Sequence, residues 1–127
     1  MPERPLTKVG PRGHCVVHWA PTEAALKRRF PDCANVSKID FFTAVRACRH
    51  YVRTGRFREN SERFKAIEGE KDLYEIKGHQ ARLLGFFDGT KFVVVHCVQK
   101  QQDRHTKSNL EKARKLRESY YAAAHRG

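Results

Sequence analysis

The chain has 127 residues, 39% hydrophobic and 31% charged, with a formal net charge of +12. That length suits one domain with one core, and the apolar content excludes a disordered tail. No window approaches the roughly 20 apolar residues of a spanning helix. A small soluble domain needs only about 2 to 8 net charges to stay dissolved. The surplus raises self-repulsion and points to a polyanionic partner, against the plainer reading of a solvated basic face.

Residues 1–12 contain Pro2, Pro5 and Pro11 with Arg4, Lys8 and Arg12, and read as a flexible basic arm ahead of a single domain at 13–127. They hold no apolar stretch of the secretory type, so a cytoplasmic location is expected. His14 to Trp19, bounded by Gly13 and Pro21, reads as a strand. His14, Cys15 and His18 resemble a metal cluster at first sight. Alternation in a strand turns Cys15 away from both histidines, and no Cys pair has zinc spacing, so no metal or other cofactor is expected. With Cys33, Cys48 and Cys97 widely scattered, reduced thiols are the default.

Thr22 caps a short helix through Arg29, ended by Pro31. Ser37 caps a longer one, Lys38 to Thr54, whose Phe41, Val45, Cys48 and Val52 form a core-facing stripe before Gly55 closes it. From Arg63 the period becomes two. A short strand at 64–67 is followed by Leu73–Lys77, a turn at Gly78, then Ala81–Phe87. Asp88-Gly89 is a hairpin signal leading into Phe92–Val98. Ser108 and Glu111 fit a capping box that opens a helix over 109–124, with Leu110, Ala113, Leu116 and Tyr120 on one stripe. The expected fold is α+β: an antiparallel sheet of about four strands, two N-terminal helices on one face and a C-terminal helix. The face left open would carry Lys77, Arg82 and Lys100.

The segment from Leu73 to about Tyr120 resembles the RelE/HigB-like toxins of type II toxin–antitoxin pairs, above all the phage-derived HigB branch of the RelE/ParE superfamily. The resemblance is carried by Leu73-Tyr74-Glu75-Ile76-Lys77, by Arg82-Leu83-Leu84, by the strand Val95-His96-Cys97-Val98-Gln99-Lys100, and by the polar stretch and helix from Thr106 to Ala113. Gln99 stands where the family usually has the first of two lysines. His105-Thr106-Lys107 replaces a Thr-Pro helix start.

The resemblance implies a RelE-like fold and a metal-independent endoribonuclease, or mRNA interferase, that cuts mRNA on the ribosome and inhibits translation. A HigA-like, DNA-binding antitoxin would be its partner. In that chemistry the ribose 2′-OH attacks the adjacent phosphate, so a proton must be taken, the phosphorane neutralised and the leaving oxygen protonated. Arg82 is the expected phosphate clamp, because a guanidinium can hold two phosphate oxygens. Lys77 and Lys100 are expected to position the backbone or exchange protons. His96 and His105 are imidazoles able to move protons near neutrality. Glu75 would hold Lys77 or act as a base.

Each has a bland counterpart. Glu75 and Lys77 can be a surface pair, His96 a core histidine, and His105 an incident of a helix start. Lys71, Arg104, Lys107, Lys112 and Lys115 are candidate RNA contacts, or a solvated face. Two other functions fit the same residues: a ParE-like gyrase poison, whose relatives typically lack the cationic sheet, and a non-enzymatic basic nucleic-acid-binding module.

Overall fold

The computed structural model describes residues 2–29, 36–56, 63–99 and 107–125. In chain order its elements are β1 (Glu3–Pro5), β2 (Cys15–Trp19), α1 (Glu23–Arg29), α2 (Lys38–Thr54), β3 (Phe64–Ala66), β4 (Tyr74–Gly78), β5 (Ala81–Asp88), β6 (Lys91–Gln99) and α3 (Lys107–His125). Local chemistry sets the helix ends. The Thr22 hydroxyl accepts from the Ala25 amide at 3.0 Å, and the Ser37 hydroxyl accepts from the Asp40 amide at 3.1 Å. Gly55 closes α2 with φ 70°, a left-handed conformation that glycine adopts without strain. Phe41, Val45, Cys48 and Val52 are all buried, as their spacing requires.

The sheet differs from the sequence expectation. Among the described residues it has six strands, in the order β1-β2-β6-β5-β4-β3, and it is mixed. Strands β3 to β6 form the antiparallel meander, but β2 lies parallel to β6, from Cys15 beside Lys91 to His18 beside Val94. A parallel partner must arrive over a long connection, so it leaves no turn signal in the sequence. The sixth strand comes from the segment expected to be a flexible arm. Glu3–Pro5 pair antiparallel with Val17–Trp19, and Glu3 meets Lys91 at 3.2 Å. Three residues with a proline suit an edge strand.

Helix placement is also corrected. The helices do not share one face. Alternate residues of the meander feed two cores. Ile76, Leu83, Phe87, Phe92, Val94 and Cys97 pack with α2, whereas Leu84, Phe86, Val93 and Val95 pack with Ala113 and Tyr120 of α3. A sheet covered on both sides explains why β5 and β6 are apolar on both faces. The last helix spans Lys107–His125, so Ser108 and Glu111 both lie inside it and Ser108 is not a cap ahead of it. Among the described residues no helix is long and apolar enough to cross a membrane.

Candidate functional site

Strand register brings the polar residues of the meander together on the α3 side, beyond the end of the helix's apolar stripe. Lys65 of β3 lies opposite Glu75 of β4, which lies opposite Leu84 of β5, which lies opposite His96 of β6. In the next row Lys77 faces Arg82, and Arg82 faces Val98. Directly opposed residues in an antiparallel sheet project to the same side, and the two rows are about 7 Å apart along the strands.

The place of His96 depends on an irregularity. Leu84 pairs with His96 but Gly85 pairs with Val94, so Val95 is an extra residue in β6. This bulge lets Val95 enter the α3-side core while His96 stays on that same side. There its Nε2 lies 3.2 Å from Oδ1 of Asn109, in the first turn of α3.

Glu75 and Arg82 are both buried, at 6% and 5% exposure, and form the floor of the site. Arg82 Nε lies 3.8 Å from one Glu75 oxygen, and Lys65 Nζ lies 3.8 Å from the other. The Arg82 Nη1 donates to the backbone carbonyls of His79 at 2.6 Å and Ala81 at 2.9 Å, which ties the guanidinium to the β4–β5 turn. Burial lowers its pKa and Glu75 opposes the shift, yet arginine remains a cation. Lys77 is half-buried. Its pKa is pushed down, first by burial, then by the adjacent Lys65 and by Arg82, with Glu75 acting against them.

The structure therefore brings together Glu75, Lys77, Arg82 and His96 of the residues singled out from sequence. It adds Lys65 and Asn109, which sequence reading missed. Lys65 had a signal, the alternation of Phe64 and Ala66 around it, but only pairing to β4 sets it beside Glu75. Asn109 had none. Lys71, Lys107, Lys112 and Lys115 are exposed, Lys71 in the β3–β4 connection and the others on α3. The Lys71 backbone accepts a 2.6 Å bond from Arg117, which pins that connection to α3. Lys100, Arg104 and His105 lie outside the described residues.

A mixed sheet lies between two helical layers, and the edge of one of its faces carries a cluster of cations with a histidine beside them. The model of the phage-derived Gp49-like protein family (DUF891) matches residues 43–118, from within α2 into α3, and the chain belongs to that family. It is a toxin-like, RelE-type family of toxin–antitoxin systems, which implies an antitoxin partner. No curated protein matches the chain. The HigB-like branch named by the sequence resemblance is a finer assignment than the family match.

Proposed function

We propose that the chain is the toxin of a toxin–antitoxin pair and acts as a metal-independent, ribosome-associated endoribonuclease on mRNA. The observation that carries this reading is the pairing of Lys77, a lysine whose pKa is driven down, with His96, whose Nε2 is held by Asn109, across a floor of Arg82 and Glu75.

In an in-line displacement the entering 2′-oxygen and the leaving 5′-oxygen lie on opposite sides of phosphorus, so acid and base must be separated. His96 and Lys77 are two strands and two residues apart, a span of about 12 Å between their backbones. The His96 imidazole is the base for the 2′-OH. Lys77 is the acid: its depressed pKa makes its ammonium a readier donor to the 5′-oxygen than an ordinary lysine. Lys65 and Arg82 supply positive charge to the phosphorane. Buried Arg82 acts from below, through Glu75 and the turn, and a bidentate clamp would require it to exchange its carbonyl partners for phosphate oxygens.

The test is expression of the chain from a tight promoter, with Lys77→Ala and Arg82→Ala in parallel, and mapping of mRNA 5′ ends. Growth arrest with new ends carrying 5′-hydroxyls, lost in Lys77→Ala, supports the reading. Arrest with intact mRNA and broken DNA would replace it with gyrase poisoning.

A further inference from the structure

Among the described residues, the large hydrophobic side chains left exposed are Val9, Ile39 and Phe42, at 68%, 73% and 55%. Ile39 and Phe42 lie one turn apart on the outer face of α2, whose inner stripe of Phe41, Val45, Cys48 and Val52 is buried in the core. With 3.6 residues per turn, Arg46, Arg49 and Arg53 continue that outer face toward the C-terminus, and all three are exposed. From Ile39 to Arg53 the stripe runs about 21 Å, at 1.5 Å per residue.

Val9 meets the same end of α2 from the N-terminal segment. Residues 5–11, with Arg49, Val52 and Arg53, line a cleft of about 650 Å³. This wall is fixed in place. The Leu6 and Thr7 amides donate to the Val16 carbonyl at 2.8 and 3.3 Å, and the Gly10 amide donates to the His14 carbonyl at 2.6 Å. A Cβ on Gly10 would fall 2.2 Å from the Val52 carbonyl oxygen, so glycine is what lets the segment sit so close to α2. The Phe42 ring rests edge-on against the buried Phe41 ring, with centroids 5.3 Å apart. A surface already ordered loses less entropy when a partner arrives.

The charge of this surface is one-sided. α2 carries Lys38, Arg46, Arg49 and Arg53 against Asp40 alone, and residues 6–13 carry Lys8 and Arg12 with no acid. The stretch after α2, residues 55–62, is neutral in sequence, with Arg56 and Arg58 balancing Glu59 and Glu62. An exposed apolar patch rimmed by charge marks a docking surface for protein. A second copy of the chain does not fit, because a two-fold interface would set Arg49 and Arg53 against their own kind. A nucleic-acid backbone would take up the arginines and leave Ile39 and Val9 in water.

We propose that the outer face of α2, with the N-terminal segment as one wall, binds an acidic amphipathic helix of a partner protein. Apolar side chains of that helix, three or four residues apart, cover Ile39 and Phe42, and another enters the cleft beside Val9. Its carboxylates meet Arg49, Arg53 and Lys8. The surface lies across the sheet from the α3-side core, so binding here does not depend on RNA cleavage at Lys77 and His96.

The experiment uses the full chain with Lys77→Ala, in the cells that make it, so that the result does not turn on whether the chain cuts RNA. Phe42→benzoylphenylalanine places a photo-crosslinker on the surface, and Lys112→benzoylphenylalanine on exposed α3 is the control. A protein adduct is expected from position 42 and not from 112, its cross-linked peptide acidic and apolar at every third or fourth residue. Arg49→Glu/Arg53→Glu is expected to lower the yield about tenfold or more, and lysine in place of the partner's facing carboxylates to restore it. Arg49→Gln/Arg53→Gln, which adds no negative charge, is expected to lose less, at an unchanged melting temperature. An adduct with RNA, an adduct with a second copy of the chain, no adduct, or a yield indifferent to the charge reversal would each overturn the proposal.

Discussion

Lys77 and Glu75 show opposite ways of placing charge at the edge of a core. Lys77 has a folded pKa below its ordinary value of 10.5, so the unfolded chain binds the extra proton more readily. Its ammonium is therefore a burden on the fold at neutral pH, and the burden fades as pH rises toward 10.5. Lys77→Met should raise the melting temperature at pH 7, with the gain shrinking as pH rises toward 10.5 and gone above it. Equal gains at both pH values would show that packing, not charge, is responsible. Glu75 has the reverse role, since it is the buried counter-charge of Arg82 and Lys65. Removing one partner of a buried pair costs about 3–5 kcal/mol. The 3.8 Å separations and the half-exposed Lys65 argue for less, so Glu75→Gln should lower stability in urea by on the order of 2 kcal/mol. Of this cluster, the residue types and the period-two spacing of Glu75, Lys77 and Arg82 were legible in the sequence. The partners that shift their chemistry, Lys65 above all, were not, because they arrive from another strand.

Elements here meet at closer range than their residue patterns announce. Gly78 reads in the sequence as a turn residue, yet it ends β4, and the turn is made by His79 and Gln80. Its importance lies in packing. A Cβ at this position would fall 2.1 Å from the Ala44 amide nitrogen and 2.6 Å from the Ala44 Cα, both backbone atoms of α2. Helix and strand must separate to admit even a methyl group. Gly78→Ala should destabilise by at least about 3 kcal/mol, the upper end of ordinary overpacking, measured by the urea midpoint. A loss under about 1 kcal/mol would show that α2 can slide away from β4. The boundaries of α2 itself were readable residue by residue, from Ser37 to Gly55, because capping and the left-handed closing residue are local. The start of α3 was not, since the local capping signal at Ser108 falls inside the helix.

At the scale of the whole molecule, the response to alkaline pH reports how α3 is attached to the sheet. Tyr120 is buried between Trp19 and Phe86 and donates a 2.5 Å hydrogen bond to Asp88 at the β5–β6 hairpin. Burial first, then Asp88, drive its pKa well above the ordinary 10.0, and Tyr121 is raised by burial too. A raised folded pKa gives stability that is complete below pH 10 and declines as pH rises beyond it. Tyr120→Phe should therefore cost about 1 kcal/mol at pH 7, from the lost hydrogen bond. Above pH 10 that difference should shrink or reverse, read by melting curves from pH 7 to 11. A constant difference would mean that the phenol ionises no differently in the fold.

The sequence by itself determined the helices, the meander, the basic balance and the residue types at the candidate site, because capping, periodicity and turn chemistry act within a few residues. Only the tertiary structure decided that β2 runs parallel to β6, that Glu3–Pro5 add an edge strand, and that α3 covers the face opposite α2. Those choices rest on burying both faces of β5 and β6 at once. No local pattern states which partner will bury which face. The bulge at Val95 has the same origin, and it is what leaves His96 beside Asn109 instead of inside the α2 core.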